Sequence, residues 1–205
     1  MQIETHYNKK YFYWQKEVGE FGGTANLFKF KDFINTTDNV IDFGCGGGYL
    51  LKNITSKNKI GVEINDEARK IAQKNGIPTV KFSGELPDDW ADVIISNHAL
   101  EHIENPIEEL RILIKKLRKG GRVVFVVPHE RKNKYTPNDI NQHLYTWSEM
   151  NLGNLFTRAG FHVIKVETID HRWMPGYIFI RKTFGDDIFN FLCKIYAYTH
   201  PNISQ

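Results

Sequence analysis

Asp42-Phe43-Gly44-Cys45-Gly46-Gly47-Gly48 carries the densest chemical signal in the chain. The apolar pair Val40-Ile41 precedes it and Tyr49-Leu50-Leu51 follows, so the segment reads as a strand end, a glycine turn and a helix start. Residues without side chains let backbone N–H groups come close to a ligand at the opening of a helix. The nearest common pattern is the dinucleotide fingerprint G-x-G-x-x-G. Here Tyr49 stands where its third glycine belongs, and the spacing is G-x-G-x-G with Asp42 two residues ahead of the first glycine. A carboxylate there repels a pyrophosphate. It suits a ligand carrying an amino group and a positive sulfur.

The pattern resembles the first motif of the class I S-adenosylmethionine-dependent methyltransferases, and three further matches follow in that family's order. Ile60-Gly61-Val62-Glu63 is similar to the second strand, Ala91–His102 to the fourth strand and its helix start, and Leu117–Val124 to the turn into the fifth strand. The resemblance spans roughly residues 36–170. It implies that Gly44, Gly46 and Gly48 pass close to the methionine part of S-adenosyl-L-methionine. Cys45 is then the small residue the loop needs, and Asp42 orients the loop or the amino group. Glu63 takes the ribose hydroxyls, Ile64 covers the adenine and Glu85 meets its amino group. Asn97 and His98 lie near the transferable methyl. The implied acceptor is a small molecule, in the manner of relatives that methylate sugars or glycan precursors at O or N.

Four histidines bear on proton or metal chemistry. His98 and His102 stand four apart with Glu101 between them, but a zinc-protease helix needs Glu directly after the first His, and Ala99 is there. No metal is expected, and His102 is expected to pack against the loop. His98, His129 after the fifth strand, and His143 in Gln142-His143-Leu144-Tyr145-Thr146-Trp147 are the candidate bases. A neutral imidazole accepts a hydroxyl proton near neutral pH. His143 ranks first, because many small-molecule members of the family place a histidine shortly before the next helix; a structural hydrogen bond within the loop is its other reading.

Positioning these groups takes alternating strands and helices. Strands are expected at Asn39–Phe43, Lys59–Glu63, Thr79–Phe82, Asp92–Ser96 and Arg122–Pro128. Helices are expected from Thr24 to about Ile34, from near Gly48, from Asn65 to Gly76, and from Asn105-Pro106 to Gly120-Gly121. A capping box at Thr146-Trp147-Ser148-Glu149 opens another helix that ends near Gly160. Phe161–Ile169 reads as a further strand, Gly176–Phe184 as another, and Asp186–Ala197 as a helix. Strands separated by helices imply a parallel sheet with right-handed crossovers. The expectation is therefore an α/β fold: a doubly wound, mostly parallel sheet of about seven strands. Residues 1–35 form an aromatic and helical cap, 36–170 the cofactor-binding core and 171–205 a variant tail, all in one globular domain.

The chain has 205 residues, is 41% hydrophobic and 25% charged, and carries a net charge of +3, all ordinary for a globular protein. Cys45 and Cys193 make neither a disulfide framework nor a metal site. No apolar run approaches the roughly 20 residues a membrane span needs, and the N-terminus lacks the apolar stretch of a signal peptide, which predicts a cytoplasmic protein. Charge is not gathered into a basic stripe, and Asn97-His98-Ala99-Leu100 lacks the Pro-Pro-aromatic motif of nucleic-acid amino methyltransferases, so nucleic acid is not expected as a partner. Monomer and homodimer both remain open. Two other classes compete. An NAD-dependent oxidoreductase shares the fold logic and Glu63 but conflicts with Asp42 and the glycine spacing. A methyltransferase-like, non-catalytic binding subunit fits the unusual tail but not the intact cofactor motifs.

Overall fold

The structure is a computed structural model, and it describes residues 18–129, 135, 137 and 141–200. The aromatic cluster Tyr7, Tyr11, Phe12, Tyr13 and Trp14 lies outside these residues. The chain divides into two compact units: the described residues up to Leu100 with Asn105–Val126, and Glu101–Glu104 with the described residues from Val127 on.

The first unit is a parallel sheet of five strands: β1 (Asn39–Phe43), β2 (Asn58–Val62), β3 (Thr79–Val80), β4 (Ala91–Asn97) and β5 (Leu117–Val126), in the order β3-β2-β1-β4-β5. Helices α1 (Tyr49–Asn53), α2 (Asp66–Lys74) and α3 (Pro106–Lys116) supply the crossovers β1-α1-β2, β2-α2-β3 and β4-α3-β5. Chain order reverses between β1 and β4, which opens a crevice beyond the carboxyl ends of those strands. Val40, Ile41, Val93, Ile94 and Ile95 are wholly buried, as expected of parallel strands covered on both faces. Leu51, Ala72, Ile77 and Phe30 fill the core beside them.

Local chemistry explains the boundaries. Asn65 caps α2, its Oδ1 accepting from the N–H groups of Glu67 and Ala68 at 2.9 and 3.1 Å. Pro106 opens α3 in the first turn, where its missing N–H costs nothing. Lys116 ends α3 with a buried ammonium that donates to Leu86 O at 2.8 Å and to Asp88 at 2.6 Å. Asp38 joins Arg122 at 2.7 Å, and the Arg122 Nε–H donates to Phe33 O, which fixes the entrance to β1.

Several expectations are corrected. Gly120-Gly121 does not close α3; the helix stops at Lys116 and both glycines lie inside β5. There the ladder jumps from Ala91–Leu117 to Val93–Arg122, and Gly120 at φ +81° makes the bulge. The single helix expected from Thr24 is instead helical backbone at residues 18–25 followed by short 3-10 turns at Leu27–Lys29 and Lys31–Phe33, and the Thr24 hydroxyl donates backwards to Phe21 O.

In the second unit, α4 (Glu149–Ala159) and α5 (Tyr177–Thr199, two helical segments across a non-helical Gly185) carry the regular structure. The cap of α4 is Ser148, boxed with Asn151, rather than Thr146 with Glu149. Phe161–Ile169 forms no strand: Thr168 directs both its N–H and its hydroxyl to the Glu149 carboxylate at 2.9 Å, so a side chain takes the place of a ladder partner. Gly176–Phe184 is helical rather than extended, with left-handed Gly176 at the start and Ile180 N–H donating to Gly176 O at 3.1 Å. The described sheet therefore has five strands rather than about seven, while the doubly wound parallel architecture stands.

Candidate active site

The glycine loop hangs from β2. The N–H groups of Gly44 and Cys45 both donate to Val62 O, at 2.9 and 3.0 Å, and Gly48 N–H donates to Cys45 O at 2.9 Å. Gly44, Gly46 and Gly48 all take left-handed backbone, at φ +76°, +54° and +72°. Their reasons differ. A Cβ on Gly44 would meet the Ala99 methyl at 2.3 Å, so this glycine lets the loop touch the segment after β4. A Cβ on Gly48 would press on Ile77 and Ala72. A Cβ on Gly46 would meet nothing within 4 Å. The space beside Gly46 is thus open for a ligand, whereas the other two glycines serve packing.

Glu63 follows β2 and bridges the site. Its Oε2 accepts from Gly46 N–H at 2.9 Å and its Oε1 from Asn65 N–H at 2.8 Å. Burial pushes its carboxyl above the ordinary range, while these donors and Arg69 pull the other way. Asp42, 2% exposed at the end of β1, is pushed well above the ordinary range by burial and by the nearby Glu63. Cys45 is buried against Gly61, which has no room for a Cβ, and burial with the neighbouring acids raises its thiol. It is a packing residue, not a nucleophile.

Beyond β4, the buried Asn97 Oδ1 finds no hydrogen-bond partner among the described residues. His98 holds a left-handed backbone at φ +57°, and its N–H donates to Val126 O at 2.8 Å. A non-glycine residue in that conformation is rare and costs strain. This corrects the expected helix through His98 and His102: the chain turns at His98 and a 3-10 turn covers only Leu100–His102.

Of the residues singled out in the sequence, the structure gathers Asp42, Gly44, Cys45, Gly46, Gly48, Glu63, Asn97 and His98 at the carboxyl ends of β1, β2 and β4. Ile64 sits exposed just after Glu63. Glu85 turns back to accept from Phe82 N–H at 2.9 Å and caps its own 3-10 turn. His129 and His143 belong to the second unit. His129 Nδ1 lies 2.8 Å from Trp147 O; only an N–H can bond a carbonyl, so the neutral ring carries its lone pair on Nε2. A cavity of about 630 Å³ opens elsewhere, beside Lys57, Lys59 and Trp90 at the start of β2, away from the strands' carboxyl ends.

An open position at Gly46, an unpaired amide oxygen on Asn97, the buried Asp42 and the half-buried Glu63 suit a cationic ligand with donor groups, and S-adenosylmethionine is such a ligand. Residues 13–166 match the family model described as a methyltransferase domain. The chain belongs to the class I S-adenosylmethionine-dependent methyltransferases. It is 25% identical over 177 residues to a ubiquinone biosynthesis O-methyltransferase of Shewanella pealeana, covering 77% of this chain and 69% of that one. Over 87 residues it is 36% identical to an uncharacterised protein of Methanocaldococcus jannaschii, covering 41% of this chain but only 42% of that one. A solved S-adenosylmethionine-dependent methyltransferase of Archaeoglobus fulgidus shares the fold, with a TM-score of 0.64 at 23% identity over 79% of each chain. No described helix is long and apolar enough to cross a membrane.

Proposed function

We propose that this methyltransferase acts on a hydroxyl of a small molecule, with the glycine loop, Glu63, Asp42 and Asn97 as its cofactor holders and His98 as the proton acceptor. The observation that carries the reading is the open left-handed Gly46, whose N–H is held by the Glu63 carboxylate. Bound S-adenosylmethionine supplies an electrophilic methyl group on a positive sulfur. Glu63 accepts from ribose hydroxyls, Asp42 offsets the positive charge, and the Asn97 amide oxygen takes a donor from the ligand. Glu85 is engaged as a cap, which leaves the adenine amino group to other partners; Ile64 remains free to cover the ring.

His98 is favoured over His129 and His143 because it sits in the same unit as the loop and in a strained conformation that the fold maintains. Its imidazole would take the proton that the acceptor hydroxyl releases. The O-methyltransferase relative supports a hydroxyl acceptor; a sugar or glycan precursor is one such class and a phenol is another. The test is a panel of sugars and phenols assayed with His98→Ala, His129→Ala and His143→Ala. A drop in kcat of about 10²–10⁴ in His98→Ala alone, at unchanged cofactor affinity, is expected. Full turnover in His98→Ala would move the base elsewhere. Cofactor binding without turnover on any acceptor would favour a binding subunit.

A further inference from the structure

We propose that Glu101, His102 and His143, all in the second unit, form a binding site for a divalent transition-metal ion, best suited to zinc. The reading goes beyond the methyl-transfer function and does not depend on it. It reverses the sequence expectation of no metal, which did not bring His143 together with Glu101 and His102.

Each of the three side chains offers one ligand atom, and these atoms lie within 4.8 Å of one another. His102 Nε2 is 4.0 Å from Glu101 Oε1. The His102 and His143 rings meet edge to face, with centroids 4.9 Å apart. Zinc–ligand bonds of about 2.0–2.1 Å place tetrahedral ligands roughly 3.4 Å apart, so closing on an ion takes shifts of a few tenths of an ångström to about one, within reach of side-chain rotation.

The backbone brings the three together. Leu144 N–H donates to Glu101 O at 2.9 Å, and the Tyr145 hydroxyl donates to Glu104 O at 2.8 Å. One tie falls on Glu101 and the other on Glu104, two residues past His102, so the loop carrying His143 is fastened to the turn carrying Glu101 and His102. The burial is graded: Glu101 is wholly buried, while His102 and His143 are half-buried. A carboxylate withdrawn from water needs compensating positive charge. Two imidazoles and one carboxylate are a nitrogen-oxygen donor set that suits zinc, whereas calcium and magnesium call for oxygen throughout. Three protein ligands leave the fourth tetrahedral position for water or another small ligand.

The test uses the full chain, stripped with a chelator and titrated with zinc against a chromophoric competitor. One tight zinc per chain is expected. His143→Ala and His102→Ala should each weaken it on the order of 100-fold, and the control His162→Ala should not. Cobalt in place of zinc should give the visible absorption of a four-coordinate ion, lost in the same variants. Glu101 is buried, so Glu101→Gln is read only if its circular dichroism matches the parent; His143→Ala decides the matter otherwise. No zinc retained against the competitor, or unchanged affinity in the His102→Ala/His143→Ala double variant, would overturn the site.

Discussion

Around the glycine loop, the open position is the backbone of Gly46, and hydrogen bonds from Gly44 and Cys45 to β2 hold the loop. Around Glu101 the converging groups are side chains, and two hydrogen bonds from a loop hold them. The first arrangement inherits its rigidity from β1, β2 and β4, whose registers run Asp42 against Gly61 and Ile95. The second unites segments some forty residues apart in the chain, and nothing in a strand register fixes it. Precision from the sheet is robust to side-chain substitution except at the glycines. Precision from the loop depends on single side chains and is open to local unfolding.

The strongest test of that contrast lies within the loop. Gly44→Val sets a branched side chain against Ala99 in a left-handed conformation. Overpacking and strain together should cost about 3–5 kcal/mol, read from urea unfolding. Gly46→Ala meets no atom and should cost only about 1–2 kcal/mol of stability from its backbone. It should nevertheless weaken S-adenosylhomocysteine binding more than tenfold in calorimetry, since its methyl enters the ligand space. Equal losses of stability in the two variants would erase the distinction between packing and binding glycines.

Glu63→Gln comes next. It keeps the shape but removes the charge that Gly46 and Asn65 share and that the proposed ribose contact would use, and should weaken cofactor binding by about 1–3 kcal/mol. Unchanged affinity in the folded variant would place the ribose elsewhere.

Asp42 gives a pH-dependent form of the same test. Its folded pKa lies well above the ordinary 3.8, with burial the larger cause and Glu63 the second. Between those two values the native chain keeps a proton that the unfolded chain has released. Stability of the ligand-free protein should therefore fall as pH rises through that window, and the penalty is absent below 3.8. Affinity for the cationic cofactor should move the opposite way, rising as Asp42 ionises. Asp42→Asn should flatten both curves and raise ligand-free stability at neutral pH. If both curves keep their slope, Asp42 is not the titrating group.

The same contrast explains what the sequence revealed. The loop site is written in contiguous residues, because glycine identity and strand ends are local properties: β1 was expected at Asn39–Phe43 and occurs there. Asn65 and Pro106 are legible for the same reason. The cluster of Glu101, His102 and His143 was not legible, since local spacing reports only on residues of one helix and His143 arrives from a distant loop. The backbone turn at His98 was equally hidden. Phe161–Ile169 has strand composition, yet extended residues need a neighbour to bond, and the neighbour turned out to be Glu149. The aromatic and β-branched stretch Tyr177–Ile180 reads as strand by residue type, but local hydrogen bonds from Gly176 onward decide for helix.

The smallest expected effect probes how the loop-built part of the second unit is held. Glu149 receives two hydrogen bonds from Thr168, both at 2.9 Å and both solvent-exposed. Charged acceptors strengthen such bonds, but exposure lets water replace them, so their loss in Glu149→Ala should cost only about 0.5–1 kcal/mol. Glu149 also lies in the first turn of α4, where a negative charge favours the helix by about 0.3–1 kcal/mol. The two contributions separate by location. Loss of the Thr168 tie should speed amide exchange around residues 161–170, whereas loss of the helix charge should speed it in the first turn of α4. Amides of β1 and β4 should not respond, because their partners lie within the sheet. Thr168→Val removes the hydroxyl bond and keeps the carboxylate, and should reproduce the first change without the second. Equal acceleration in the sheet would mean that the second unit's stability is shared with the first, and the contrast between sheet-held and loop-held precision would fail.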